Sequence, residues 1–324
     1  MKIDTDEIEY LKETQKIIND EINAITKVTN NYMDNINNIK KEFYENKAEY
    51  KELEISSKLT EINHNVDYVN RKIDNIKQLE ESFYSPYFGR IDFNKEKIYI
   101  GIKSIINEDT NYVYDWRAPI SSMYYNYEMG VSEYKSNEGL IKDVISLKRQ
   151  YKIENGILLR CINTSDTIDD DFLQEILSNS NDKMKNIVST IQKDQNKIIR
   201  NSSDKYLIVQ GFAGSGKTSV ALHRIAYLLY KDTNLKSNNI LILSPNDVFT
   251  KYISNVLPEL GESNVKNITF SKFVIAILHK IKNIEKLSEF ISRTYHSVDE
   301  TIKYKLSDKF IEDMDIFFEN YISN

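Results

Sequence analysis

The segment Gly211-Phe212-Ala213-Gly214-Ser215-Gly216-Lys217-Thr218-Ser219 has the residue types and spacing to hold phosphate. It fits the pattern glycine, four residues, glycine, lysine, then serine or threonine. Glycines let main-chain N–H groups curl toward an anion with no Cβ in the way. A helix opening at the lysine adds unpaired N–H donors and the positive end of its dipole. Lys217 is then expected to reach the β- and γ-phosphates of ATP, and the Thr218 hydroxyl to coordinate Mg²⁺. Lys217 and Thr218 are thus the catalytic candidates, residues 211–219 the nucleotide-binding candidates, and Thr218 the metal candidate.

A phosphate loop is expected at a strand-to-helix corner, and the flanks read that way. Tyr206 to Gln210 is short and apolar, as a strand would be. Beyond the loop, Val220, Ala221, Ile225, Leu228 and Leu229 recur at helical spacing to Tyr230. A second strand is expected at Asn239 to Leu243, then Ser244-Pro245-Asn246 and a helix to Leu257. This alternation opens a parallel α/β domain. Helical pattern also precedes the loop, from about Asp170 to Arg200, and returns over Ser271 to Asn324.

The N-terminal part is different. Residues 6–83 contain no Gly and no Pro. Ile8, Leu11, Ile18, Ile22, Ile25, Tyr32, Ile36, Ile39 and Phe43 form one apolar series, and Ile55, Leu59, Ile62, Val66, Val69, Ile73, Ile76 and Phe83 a second. Their steps average about 3.5 residues, the coiled-coil period. The phases do not match, so a break is placed between Tyr44 and Glu54, giving two helices folded back as an antiparallel hairpin. Each would be ~50–60 Å long at 1.5 Å per residue. After Ser85-Pro86 and Gly89 the chain becomes rich in Tyr, Ile and Val. Residues 97–102, 112–114, 123–125, 151–153 and 158–159 read as a mostly antiparallel β module, with Asn155-Gly156 as a hairpin turn.

The expected architecture is therefore mixed α/β: a coiled-coil arm (1–84), a β-rich module (85–165), a partial RecA-like phosphate-loop domain (166–270) and a helical segment (271–324) that starts an insertion. The net charge of −6 argues against affinity built mainly on phosphate contacts. Cys161 is the only cysteine, and the four histidines (His64, His223, His279, His296) are dispersed, so neither a disulfide nor a metal cluster is expected. No apolar run is long enough to cross a membrane, and a cytoplasmic protein is the natural reading.

Val209 to Tyr230, with Leu-His-Arg-Ile-Ala-Tyr-Leu-Leu-Tyr after the loop, resembles the HelD branch of UvrD-like superfamily-one helicases. So do Gly89-Arg-Ile-Asp-Phe93, Asp115-Trp-Arg-Ala-Pro119, Ser244-Pro-Asn246 and Leu257-Pro-Glu-Leu-Gly-Glu262. The resemblance implies a helicase-like ATPase acting on RNA polymerase. Residues 6–83 would enter its secondary channel, with an acidic tip bearing Glu45, Glu49, Glu52 and Glu54. DNA is left open as a further partner. It also implies an adenine-reading glutamine before the loop strand, for which Gln195 fits better than Gln192. Trp116 is expected to pack the β module against the motor domain. A conventional UvrD-like DNA helicase and a non-catalytic polymerase-binding module are the competing functions.

Hydrolysis needs an acidic Walker B strand. Asp299-Glu300 follows a polar segment and reads as a helix start, so it is not taken as one. The second motor domain is not seen either. The chain reads as a fragment, with weak or lost ATP binding and negligible turnover expected of it alone.

Overall fold

The computed structural model describes residues 5–46, 50–164, 188–260, 262, 265–278, 285, 287–294 and 300–322. Two long helices lead: α1 (Thr5–Glu45) and α2 (Glu52–Tyr84). The turn falls where the apolar phases break. Gln15 reaches the Phe83 carbonyl, the Tyr32 and Tyr68 rings meet at a tilt and Phe43 stacks on Tyr50, so the helices run antiparallel. Of the expected tip carboxylates, Glu49 lies outside the described residues.

The sheet that follows comprises β1 (Gly89–Phe93), β2 (Glu96–Gly101), β3 (Ile105–Asn107), β4 (Thr110–Asp115), β5 (Gly130–Ser136), β6 (Gly139–Glu154) and β7 (Ile157–Asn163). The order is β3-β4-β2-β1-β6-β5, with β7 also on β6. All pairings are antiparallel except β2 with β4. Asn155 and Gly156 both have positive φ (50° and 78°) at the β6–β7 turn, the conformation that Asn-Gly favours. One expectation fails here. Met123 to Tyr125 is not β structure but lies in a short helix, α3 (Ser122–Asn126). The three consecutive side chains are all buried, and a helical turn after Pro119 sinks them together, where a strand would send the middle one to the opposite face.

The sheet is buried on both faces, as the run Ile98, Tyr99, Ile100, Gly101 shows. Alternation along a strand separates these residues. Tyr99 points to the side where Leu11, Ile18 and Leu79 of the helical arm pack with Tyr151 and Ile153. Ile98 and Ile100 belong to the cluster that holds Trp116, Val220, Leu222 and Ala226. The sheet is thus a hub, with the foot of the arm on one face and the helix after the glycine loop on the other.

The arm is also fastened by charge. Glu7 is buried, and its Oε1 accepts from Arg90 Nη1 (2.6 Å) and Arg149 Nη1 (2.7 Å). Its Oε2 accepts from the hydroxyls of Tyr99 (3.0 Å) and Tyr151 (2.9 Å). Burial first, and then the Glu7 carboxylate, push both hydroxyls well above their ordinary pKa, so they stay protonated donors.

The later elements are α4 (Lys193–Arg200), α5 (Lys217–Lys231), β8 (Leu241–Ser244), α6 (Asp247–Glu259), β9 (Lys266–Thr269), α7 (Phe270–Ile277), α8 (Leu287–Thr294), α9 (Glu300–Lys305) and α10 (Asp308–Ile322). The helical reading of residues 170–187 lies outside the described residues. The second expected strand forms as β8, and Asn246 caps α6 by accepting from Phe249 N. Glu300 opens α9. Met1–Ile242 with Asn246–Asn267 form one compact unit, and Leu243–Pro245 with Ile268–Asn324 another. No helix among the described residues is long and apolar enough to cross a membrane.

A second expectation fails at Tyr206 to Gln210. This segment forms no strand. A strand needs neighbours for its main-chain N–H and C=O groups, and among the described residues none pairs with it. Ile208 is 94% exposed, so its apolar pattern is unmatched by packing.

Candidate functional site

Of the expected strand-to-helix corner the helix half is present: the glycine loop leads directly into α5, with no strand before it. Gly214 (φ 82°) and Gly216 (φ 78°) both lie in the left-handed region, where a Cβ costs roughly 1–2 kcal/mol. Gly216 is the N-cap of α5, and Val220 N donates back to its carbonyl (2.8 Å). A Cβ on Gly211 would sit 2.7 Å from Ser215 Oγ, whereas one on Gly214 would meet nothing within 4 Å. The loop is therefore tight on its inner side and open at Gly214. Phe212, in the same loop, is 91% exposed.

Lys217 is the first residue of α5, and its ammonium curls over the loop. Nζ donates to the carbonyls of Gly211 (2.9 Å) and Phe212 (2.6 Å). Thr218 and Ser219 complete the first turn. Gln195, on α4, reaches the same loop. Its Nε2 lies 3.5 Å from the Ser215 carbonyl, and a Cβ on Gly216 would meet it at 3.3 Å. Gln192 precedes α4 as its N-cap, with its N–H bound to Gln195 Oε1 (3.0 Å). The structure thus brings Gln195, Gly211 to Lys217, Thr218 and Ser219 together, although the strand expected beneath them is absent.

The Asp115-Trp116-Arg117 segment reaches α5 from the other side. It leaves β4 with Trp116 N bound to the Gly101 carbonyl (2.8 Å). Asp115 holds Arg117 in a fork, Nε to Oδ1 (2.8 Å) and Nη2 to Oδ2 (2.7 Å), and Arg117 Nη1 binds Glu262. The guanidinium lies 4.8 Å from the ring centre of Tyr230, on the last turn of α5. Arg200 donates to the carbonyls of Trp116 (2.6 Å) and Arg117 (2.9 Å), satisfying main-chain groups of the segment. Trp116 itself is fully buried and meets the His223 ring edge to face, centroids 5.5 Å apart. The expected packing of Trp116 between the β module and the phosphate-loop helix is what the structure has.

Several of these residues escaped the sequence reading. His223 counted only as a dispersed histidine, although its i+4 spacing from Ser219 puts both on one face of α5. Its Nδ1 lies 2.6 Å from the Ser219 carbonyl. Burial lowers its pKa to about 4, so it is neutral near pH 7. Glu7, Arg149 and Arg200 gave no local signal, because their partners lie far along the chain, and Glu262 entered only as the end of the Leu257–Glu262 motif, without its partner Arg117. Among the described residues no group of three or more His, Cys, Asp or Glu is placed to hold a metal ion.

Two family models match the chain. Residues 5–183 match the N-terminal domain of DNA helicase IV HelD, and residues 191–316 match the UvrD/REP helicase N-terminal domain. The first covers the arm and the sheet. The second begins just before Gln195 and takes in the glycine loop. No curated protein matches the chain.

Proposed function

The chain belongs to the HelD-type UvrD-like helicases, whose N-terminal portion it carries, and on that premise we propose that it is the ATP-binding part of a motor that docks on RNA polymerase and promotes its release and recycling. The observation that carries the nucleotide half of this reading is the loop itself. Gly214 and Gly216 take the left-handed conformation that a curled main chain needs, at the N-terminus of a fifteen-residue helix, with Lys217 leading it.

The donor set fits a triphosphate. Main-chain N–H groups of residues 212–218 and the first turn of α5 would receive the β- and γ-phosphates. The Lys217 ammonium, now on the loop's own carbonyls, stands beside the same cradle and would transfer to the phosphates. Mg²⁺ supplies charge neutralisation of the phosphates when bound, and the Thr218 hydroxyl is its protein ligand in this reading. Gln195, whose amide both donates and accepts, suits an adenine edge. DNA remains a further candidate partner for the motor.

The polymerase half of the reading is supported by the arm. Leu11, Ile18 and Leu79 root it in the sheet, whereas α1 and α2 continue well beyond those contacts as a helix pair. A long stiff probe of this kind suits a deep channel, and unwinding a duplex gives no reason for it. The test uses the full chain with the outer arm shortened, residues 30–68 replaced by a short turn so that Glu7, Leu11 and Leu79 keep their contacts. Wild type should retain purified RNA polymerase core in a pull-down, and the shortened chain should lose it. Equal retention by both would contradict the reading.

A further inference from the structure

Trp116 and His223 carry an unusual pair of buried atoms. Trp116 Nε1 and His223 Nε2 are both shielded from solvent, and neither has a hydrogen-bond partner among the described residues. Buried polar groups are nearly always paired, because each unpaired one forfeits its bond to water. Here the two unpaired groups belong to rings already in contact.

Their chemistry is complementary. The Ser219 carbonyl can only accept, so the His223 nitrogen 2.6 Å from it, Nδ1, carries the proton. Nε2 is then a bare acceptor. The indole Nε1–H is only a donor. A ring whose donor lacks an acceptor therefore packs on a ring whose acceptor lacks a donor. The hydroxyl of Ser219, in the first turn of α5, is buried and unpartnered as well. Ser219 directly follows Thr218, so the unmade bond lies one helical turn from the phosphate cradle.

We propose that Trp116 and His223 are positioning residues for the phosphate loop: when phosphate draws in the first turn of α5, Trp116 Nε1–H meets His223 Nε2, and the β module clamps the closed loop. The inference rests on the nucleotide-binding reading above and deepens it. It gives the Asp115-Trp116-Arg117 segment a role. Arg117 packs on Tyr230 at the far end of α5, while Trp116 meets His223 in its middle, one turn beyond Ser219. One neutral hydrogen bond made only in the bound state changes affinity by about fivefold.

The experiment uses the full chain and Mg-ATP. Trp116 is the only tryptophan, so its indole N–H gives one resonance in a ¹⁵N correlation spectrum. That resonance should move downfield on addition of millimolar Mg-ATP, as expected for a newly made hydrogen bond. In mant-ATP titrations Trp116→Phe and His223→Phe should each bind about fivefold more weakly. The double variant should bind no more weakly than either single one, because one shared bond is lost. An indole resonance that stays in place, single variants with wild-type affinity, or losses that multiply in the double variant would overturn the proposal while leaving nucleotide binding intact. Lys217→Ala is the separate control. If wild type binds no nucleotide, or Lys217→Ala binds as wild type does, the nucleotide reading itself fails and this inference falls with it. Should a phenylalanine variant not fold, the wild-type indole shift decides alone.

Discussion

Replacing Glu7 by Gln isolates the charge that fastens the arm to the sheet. The carboxylate takes two guanidinium groups on one oxygen and two tyrosine hydroxyls on the other. Glutamine has the same shape. Its amide oxygen can keep the two arginine bonds, and the Tyr99 and Tyr151 hydroxyls can turn to accept from its NH₂. What disappears is the negative charge between Arg90 and Arg149, both largely withdrawn from solvent. Removing one partner of a buried ion pair costs about 3–5 kcal/mol. Arg90 keeps Asp92 (2.5 and 2.6 Å) and Arg149 keeps the Asn163 amide oxygen (2.7 Å), so the loss belongs at the lower end, about 3 kcal/mol. For a unit of this size that lowers Tm by roughly 6–12 °C. Thermal melts followed by circular dichroism read this directly. Glu9→Gln, on an exposed residue of the same helix, is the control and should shift Tm by no more than about 1 °C. A Glu7→Gln protein that melts within about 2 °C of wild type would refute the idea that charge fixes the arm's foot.

Other outcomes follow from the same contacts. A Cβ on Gly101 would lie 2.2 Å from the Pro86 carbonyl and 2.8 Å from Val113, so Gly101→Ala should lower Tm by several degrees, and an unchanged melt would contradict the packing. His223 has a folded pKa of about 4 against 6.5 unfolded. Below pH 6.5 the unfolded chain gains a proton that the folded one resists, so stability is full above about pH 6.5 and falls as the pH drops toward 4, by about 3 kcal/mol. His223→Phe should flatten this part of the urea-denaturation profile against pH.

The arm was legible because its signal is local. A 3.5-residue apolar rhythm without Gly or Pro admits little but long helices, and the phase slip marked the turn between Glu45 and Glu52. The glycine loop was legible for the same reason, since its residues act within one short segment. The misreadings arose where tertiary environment decides. Met123-Tyr-Tyr125 has strand-like composition, yet full burial of all three side chains is met by a helical turn. Tyr206 to Gln210 is apolar enough for a strand, but a strand exists only through its neighbours. The fastenings were invisible for a related reason: Glu7 meets Arg149 across 142 residues, and Arg117 meets Glu262 across 145. Nothing in either local sequence announces the other. His223 shows the intermediate case, where the helical spacing to Ser219 was readable but its burial against Trp116 was not.

The central claim is that the curled main chain around Gly214 and Gly216, together with Lys217, holds the phosphates of ATP. The left-handed glycines at the head of α5 narrow the expected weak or lost binding to weak binding, and saturation-transfer NMR with millimolar Mg-ATP tests it most directly, because it registers even weak binding by the full chain. Wild type should transfer magnetisation to the adenine protons, and Lys217→Ala should lose the signal while melting at the wild-type temperature. No transfer to wild type, or equal transfer to a folded Lys217→Ala, would contradict the account.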